Sequence, residues 1–260
     1  MPVSIQTVLE RVANRIVPGE AERAKMSRLA ERLKNQIQKI LDKAGIEGSV
    51  SIQGSFARDT WLSGEADLDI FASFPISMNR QEWTEQVLPT IRRGIAARTV
   101  DRYAEHPYLE FHVDSVRVNV VPCYSVTKGQ WKSATDRTPF HTDYMRTHLT
   151  SKMRLEARLL KRFMKGIRSY GAEIRVGGFS GMLVETLILH YKSCLQTLEH
   201  ASLWRPVIFL ELENARSVED PRVRAFGSQL VVIDPIDPDR NLGAAVREDK
   251  LWGFVAASRE

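Results

Sequence analysis

The chain has 260 residues, enough for one large domain or two ordinary ones. Hydrophobic residues make up 43% and charged residues 27%, which excludes a disordered or fibrous protein; two separated cysteines exclude a disulfide scaffold or zinc module. The 37 basic and 32 acidic residues give a net charge of +5, which favours an anionic partner without naming it.

The N-terminus and the apolar segments indicate the cellular location of the protein. Glu10 and Arg11 interrupt the N-terminus before an apolar segment can form, which argues against a signal peptide. No apolar run is long enough to span a membrane. We therefore expect a cytoplasmic protein with no membrane partner.

The first half of the chain predicts an α+β domain. Apolar residues at three- and four-residue steps predict a helix over residues 20–44, and residues 80–98 are again helical in pattern. Four segments have the alternation or the β-branched content of strands. These predicted strands are Ser49–Gln53, Ala66–Phe74, Tyr108–Val113 and Val116–Val121, with a tight turn at Asp114-Ser115 between the last two.

From about residue 150 the pattern becomes mostly helical. Residues 153–167 predict one helix, and Ser180 is a candidate N-cap for a second, strongly apolar helix that reaches His200. A short strand is expected at Leu230–Ile233. The predicted organisation is a domain of residues 1–140, including the N-terminal helix, followed by a helical domain of residues 141–260.

Two carboxylates and a glycine turn carry the chemistry. Asp67 and Asp69 are two residues apart on a predicted strand, so their side chains project to the same face. Two adjacent carboxylates repel each other unless a cation lies between them, and Mg²⁺ prefers carboxylate oxygens and substrate phosphates. Gly54-Ser55, between a strand and a helix, offers backbone N–H groups and a hydroxyl to a phosphate. Either motif alone is weak evidence, but the two in this order and twelve residues apart indicate a nucleotide site.

These motifs resemble the active-site signature of the DNA polymerase β nucleotidyltransferase superfamily. Seven further stretches narrow the resemblance to the archaeal, class I tRNA CCA-adding enzymes, and they extend it over nearly the whole chain. They begin at Ala104, Val120, Asp136, Arg158, Tyr170, Gly178 and Asp239. The resemblance implies a polymerase-β-like head domain followed by a mostly helical, oligoadenylate-synthase-like domain.

The resemblance also assigns roles to individual residues. Asp67 and Asp69 match the two metal-binding acids, and Gly54, Ser55 and Arg58 match the turn that contacts the triphosphate. The other residues that it assigns to nucleotide binding are Thr138, His141, Lys161, Tyr170 and Arg240. The residues that it assigns to the RNA 3′ end are Glu105 and His106. It implies Mg²⁺ as cofactor, ATP and CTP as nucleotides, and template-independent addition to the 3′ end of tRNA or a tRNA-like RNA with release of pyrophosphate.

Asn119 departs from the family pattern. The family has a third catalytic carboxylate at this position, where it would bind metal and help to deprotonate the 3′-hydroxyl. Asparagine is nearly isosteric but neutral, and it cannot act as a base near neutral pH. We therefore expect impaired activity. Two explanations stay open, a deliberately introduced inactivating substitution and a homologue that has lost or altered catalysis.

The chain also ends at Glu260, whereas the family continues into domains that clamp tRNA. It is either a shortened piece or a compact relative, and we expect weak, salt-sensitive RNA binding. Two alternative functions remain. One is an oligoadenylate or cyclic-dinucleotide signalling enzyme, which shares the Gly-Ser and Asp-x-Asp core. The other is a catalytically silent nucleotide- or RNA-binding protein, which the neutral Asn119 favours.

Overall fold

The structure is a computed structural model that describes residues 4–97, 99–103, 107–213 and 216–260. The helices of this part of the chain are α1 (Ile5–Ile16), α2 (Glu20–Lys43), α3 (Gly54–Ala57), α4 (Arg80–Glu82), α5 (Leu88–Gly94), α6 (Arg137–His148), α7 (Ser151–Gly166), α8 (Gly181–Tyr191), α9 (Cys194–Ser202), α10 (Pro221–Arg224) and α11 (Glu248–Ala257). Its strands are β1 (Ser49–Gln53), β2 (Asp67–Phe74), β3 (Thr99–Tyr103), β4 (Pro107–Val113), β5 (Val116–Tyr124), β6 (Ile208–Leu210) and β7 (Leu230–Val232). None of the helices described here combines the length and the apolar character that a bilayer crossing needs.

The chain forms two compact units. One, the sheet unit, is Pro18–Arg146; the other, the helical unit, joins the segment that ends at Val17 to Thr147–Glu260. This division differs from the predicted boundary between residues 140 and 141. The N-terminal helix belongs with the second unit because α1 packs on α7, and the boundary lies near the C-terminal end of α6.

The sheet unit is built on five strands in the order β1-β2-β5-β4-β3. The central pair, β2 and β5, is parallel, and the other neighbours are antiparallel. The predicted turn between β4 and β5 is present, with positive φ at Asp114 and Ser115. β5 runs on to Tyr124, beyond the predicted end at Val121. Pro122 is tolerated there because β4 pairs with β5 only as far as Val120, so the missing N–H is not needed on that side.

The core of this unit lies between α2 and one face of the sheet. The apolar face of α2, with Leu33, Ile37 and Leu41 fully or almost fully buried, packs in one cluster with Leu68 and Ile70 of β2. Burial of each such side chain stabilises the fold by roughly 1.5–3 kcal/mol. Because side chains alternate along a strand, Asp67 and Asp69 project from the opposite face of the sheet.

In the helical unit, the predicted extent of one helix is wrong. The helix that begins after the Ser180 cap ends at Tyr191, Lys192 adopts a left-handed conformation with φ 73°, and a second helix starts at Cys194. The break is stabilised locally, since the Ser193 hydroxyl accepts the N–H of Gln196 at 3.1 Å. Serine followed by glutamine three residues later is a capping-box signature that could have located this break.

Candidate active site

The site is a grid of four polar side chains on the exposed face of β2 and β5. In the parallel register, Asp67 lies beside Arg117 and Asp69 beside Asn119. Leu68 between the two acids is fully buried on the opposite face. The expectation that both aspartates project together from one strand therefore agrees with the backbone geometry.

Each aspartate is held by its neighbour on β5. Arg117 forms a bidentate ion pair with Asp67, in which Nε donates to Oδ1 at 3.1 Å and Nη2 donates to Oδ2. The amide Nδ2 of Asn119 donates to Oδ1 of Asp69 at 2.9 Å. A guanidinium and an amide thus satisfy oxygens that a cation would otherwise bind.

The electrostatics of the pair favour a cation. Desolvation raises the pKa of the Asp69 carboxyl above 3.8, and the like charge of Asp67 raises it further. The Asn119 hydrogen bond and the charges of Arg58 and Arg117 act in the opposite direction. The pKa of Arg117 is raised, chiefly by its hydrogen bond to Asp67. The net shift of the Asp69 pKa is upward because desolvation of the ionised carboxylate outweighs these favourable contacts.

Gly54 brings the phosphate-binding turn against Asp69. It follows Gln53, the residue of β1 that pairs with Asp69, and it has a φ of +72°. A Cβ at this position would lie 2.0 Å from Oδ2 of Asp69. Only glycine therefore fits, both because of the left-handed backbone and because the carboxylate occupies the space of a side chain.

The residues after Gly54 extend this turn. Ser55 is partly buried in α3, and its hydroxyl has no hydrogen bond to any described residue. Arg58 is buried, with 7% of its surface exposed, and its charge lowers the pKa of Asp69. The Gly54 N–H, the Ser55 hydroxyl and Arg58 are the donor types that a phosphate requires.

Two contacts from α2 hold the loop that joins the turn to β2. The carboxylate of Glu22 accepts the Ser63 hydroxyl at 2.7 Å and the Gly64 N–H at 2.8 Å. Arg23 donates to Asp59 at 2.6 Å, and Asp59 itself has a positive φ of 53°. Sequence reasoning did not identify these supports, because nothing in the local pattern links a helix residue to a loop about forty positions away.

A further carboxylate lies across the grid on β4. Glu110 pairs in register with Asn119, and only 8% of its surface is exposed. Its charge raises the pKa of Arg117. Sequence reasoning missed Glu110, although the strand alternation that places Asn119 on this face places Glu110 there as well once the hairpin register is known.

Thr138 and His141 lie in the first turns of α6, where Thr138 is partly buried and His141 is buried. The start of this helix is fastened to the end of β5 by Asp136, which is fully buried. Its carboxylate accepts the backbone N–H of Tyr124 at 2.8 Å, of Lys132 at 2.8 Å and of Ser133 at 2.7 Å. Asp136 is thus a structural member of the motif that contains Thr138 and His141.

Lys161 and Tyr170 lie together in the helical unit. Lys161 in α7 has 3% of its surface exposed, and its Nζ is 5.7 Å from the centre of the Tyr170 ring. Lys165, one turn further along α7, approaches the same ring at 5.4 Å. In this unit too, Arg240 is half exposed and is fixed by an ion pair at 2.9 Å to the fully buried Asp234.

Glu105 and His106, predicted at the RNA end, lie outside the described residues.

Nucleotidyltransferases generally use divalent metal ions, and two carboxylates here could hold such an ion. Asp67 and Asp69 provide hard oxygen ligands on one face, and a divalent cation would offset both the desolvation and the like charge of Asp67 that raise the pKa of Asp69. In the described part of the chain no three acidic, histidine or cysteine side chains cluster as a metal site, because the third position is the amide of Asn119. The acid pair alone fits the cation.

Comparison with known proteins gives two family matches that together cover most of the chain. Residues 33–141 match the nucleotidyltransferase domain, and residues 155–260 match the second domain of tRNA nucleotidyltransferases.

Similar proteins extend this match. The chain is 39% identical to a CCA-adding enzyme from Pyrobaculum islandicum over 98% of its length and 42% identical to one from Sulfurisphaera tokodaii over 97%. It spans about 60% and 58% of the length of these two relatives.

Solved structures share the fold. The Cid1 RNA terminal uridylyl transferase superposes with a TM-score of 0.75 at 12% identity, with coverage of 97% of this chain and 92% of Cid1. The complex of Escherichia coli MS115-1 CdnC with ATP superposes with a TM-score of 0.71 at 15% identity, with coverage of 98% and 89%. These likenesses confirm the predicted polymerase-β-like fold class.

Proposed function

Because the chain belongs to the nucleotidyltransferase family that includes the archaeal CCA-adding enzymes, we propose that it adds nucleotides to the 3′ end of tRNA or a tRNA-like RNA without a template. ATP and CTP are the proposed nucleotides, Mg²⁺ the proposed metal and the cytoplasm the proposed location. The observation that carries the proposal is the pair Asp67 and Asp69, which share one sheet face with Asp69 directly against the Gly54 turn.

In the proposed reaction, the RNA 3′-hydroxyl oxygen forms a bond to the α-phosphorus, and the bond from that phosphorus to pyrophosphate breaks. Asp67 and Asp69 would hold the divalent ions, which when bound stabilise the charge on the attacking and leaving oxygens. The Gly54 N–H and the Ser55 hydroxyl bind the triphosphate, and Arg58 supplies positive charge beside them.

The roles of the remaining residues follow the resemblance. We assign Thr138 and His141 to the nucleotide, Lys161 and Tyr170 to its phosphates and sugar, and Arg240 to its base, for which a planar guanidinium is suited. Glu105 and His106 are assigned to the RNA end.

The asparagine at position 119 determines the rate of nucleotide transfer that we expect. Its amide holds Asp69 in place but cannot take the proton from the 3′-hydroxyl. General-base help is worth roughly 10²–10⁴-fold, so the rate should be reduced by a factor of this order. The chain should therefore bind nucleotide and transfer it slowly.

One assay tests this function against its two rivals. The chain and its Asn119→Asp form are incubated with labelled ATP or CTP, with and without tRNA, and the Asp69→Asn form serves as the inactive control. Label in the 3′ end of tRNA supports the proposal, and label in a small oligonucleotide or cyclic product supports the signalling enzyme. If no label is transferred by either form while nucleotide still binds, the chain is a silent binding protein.

A further inference from the structure

One side of α2 carries a continuous row of positive charge. Counted from Lys25, the other four cations of this row lie 3, 7, 14 and 18 positions later, which at about 100° per residue confines all five to about 60° of arc. The row, called the α2 basic face, consists of Lys25, Arg28, Arg32, Lys39 and Lys43, all of them exposed. At about 1.5 Å per residue it is about 27 Å long.

The acids of α2 are kept off this face. Glu31 lies elsewhere around the helix and pairs with Lys34 at 2.6 Å, and Asp42 accepts the side-chain amide of Gln38 at 2.9 Å. Within the described residues, no ion pair involves a cation of the α2 basic face. No cation of this row is therefore neutralised by a direct ion pair within the described residues.

The row also accounts for the charge excess of the chain. The sequence has 37 basic and 32 acidic residues, so without these five cations the two signs are equal. The five cations of this one helix face thus equal the net charge of the chain in number. Such a concentration is the electrostatic footprint of a polyanion-binding surface.

The same face borders a groove whose lining mixes basic and amide side chains with Ile40. The groove has a volume of about 450 Å³ and is lined by Arg32, Lys39 and Lys43, by the amide side chains of Asn35 and Gln36, and at its far wall by Gly94 at the end of α5. Gln36 donates to the Gly94 carbonyl at 3.1 Å, which fixes that wall. Gly94 packs so closely on Ile40 that a Cβ there would lie 2.5 Å from it.

We infer that the α2 basic face binds the phosphodiester backbone of RNA, at a surface separate from the Asp67–Asp69 grid. Because α2 covers one side of the sheet and the two aspartates project from the other, RNA on this face is not held at its reacting end. Phosphates recur every few ångströms along a nucleic-acid strand, so five cations spread over about 27 Å can contact several of them. Contacts to phosphates alone make this binding independent of sequence.

The experiment measures binding of a fluorescent RNA duplex of about 24 base pairs, without nucleotide, over about 50 to 200 mM KCl. The test variant is Arg32→Gln with Lys39→Gln. The matched control is Arg11→Gln with Lys128→Gln, which removes the same two charges from exposed positions elsewhere. Thermal unfolding of both variants checks that they are folded.

The test variant should bind the duplex more weakly than the unmodified chain. The slope of its log binding constant against log KCl concentration should be smaller in magnitude by about 1.8, that is about 0.9 for each phosphate that the variant no longer neutralises. The control should retain the original slope. An equal decrease in both variants would show a general charge effect and overturn the inference, as would an unchanged slope in the test variant. The inference is also overturned if the test variant fails to bind phosphatidylserine vesicles while duplex binding is unchanged.

This inference and the proposed reaction fail separately. Duplex binding needs neither nucleotide nor the aspartates, so the Asp69→Asn form should bind the duplex as well as the unmodified chain. Conversely, at a saturating concentration of a short RNA primer, the Arg32→Gln, Lys39→Gln variant should transfer label to the primer at the same rate as the unmodified chain.

Discussion

At the scale of single residues, the site is defined by two side chains of β5 that contact the acid pair. Arg117 and Asn119 give the grid one guanidinium and one amide beside two carboxylates. A third carboxylate at position 119 would lower the net charge of the grid by one unit and provide a base. Metal affinity and proton transfer therefore both depend on these two side chains.

Restoring the carboxylate should restore the rate. The Asn119→Asp change is expected to raise nucleotide incorporation by roughly 10²–10⁴-fold, because it adds a base beside the 3′-hydroxyl and a ligand for metal. Incorporation of labelled ATP and CTP into tRNA measures it, and Asn119→Ala is the control that should show no gain. A rate that does not respond to Asn119→Asp would contradict the assigned role of this position.

Removing the guanidinium should strengthen metal binding. Arg117 occupies both oxygens of Asp67, and with side-chain exposures of 45% and 38% the ion pair is worth only about 0.2–1 kcal/mol. Arg117→Gln should therefore tighten Mn²⁺ binding by about 1.4- to fivefold, measured by calorimetry without nucleotide. Arg11→Gln, an exposed arginine in α1, controls for the change in net charge. Unchanged or weaker Mn²⁺ binding would show that Arg117 does not compete with the cation.

At the scale of secondary-structure elements, two connections place the grid. The Gly54 turn joins β1 to α3 and contacts Asp69, and the Asp136 carboxylate joins the end of β5 to the start of α6. Both positions stand within motifs that are visible in the sequence. The two residues are required for different reasons. Gly54 is required because of the limited space and the left-handed backbone, and Asp136 is required because it accepts hydrogen bonds from buried backbone N–H groups.

Gly54→Ala should disrupt the site, whereas Gly64→Ala should only strain the backbone. The two glycines have nearly equal φ values of +72° and +71°, so the left-handed conformation costs each alanine variant about 1–2 kcal/mol. Only at position 54 does the new Cβ meet a carboxylate; at Gly64 it meets nothing within 4 Å. Nucleotide binding by fluorescence should be abolished in the first variant and kept in the second. Equal affinity in both would refute the close approach to Asp69.

Asp136→Ala should destabilise the sheet unit strongly. The buried N–H groups of Tyr124 and Ser133 would be left without their acceptor at about 1–3 kcal/mol each, and the part-buried N–H of Lys132 would lose its acceptor as well. A decrease on the order of 3–5 kcal/mol in unfolding free energy is therefore expected. Urea unfolding followed by circular dichroism measures the change. Asp42→Ala, at an exposed position of α2, should cost less than about 0.5 kcal/mol. Similar costs for the two variants would mean that Asp136 is not a structural anchor.

At the scale of the whole molecule, the chain divides into a sheet unit and a helical unit that are not consecutive in sequence. The N-terminal segment belongs to the helical unit through the packing of α1 on α7. The sheet unit has the acids and the glycine turn, and the helical unit has the Lys161–Tyr170 pair and Arg240.

Deleting residues 1–17 should therefore weaken the second unit and spare the first. Amide hydrogen exchange is expected to show reduced protection in α7, because its packing against α1 is removed, while β2 and β5 exchange as before. The amides of the sheet unit serve as the internal control. A uniform decrease in protection, or a decrease confined to β2 and β5, would contradict the assignment of α1 to the helical unit.

The sequence by itself predicted most elements of the sheet unit and indicated the chemistry that we propose for the site. The 3.6-residue period of α2, the alternation in β2 and the Gly-Ser and Asp-x-Asp motifs are local patterns, so they could be identified without a fold. Only the tertiary structure decided that Arg117 neutralises Asp67, that Glu110 stands opposite Asn119, and that α1 packs on α7. Each of these facts depends on strand register or on packing between segments distant in sequence, and neither is encoded in a local pattern of residues.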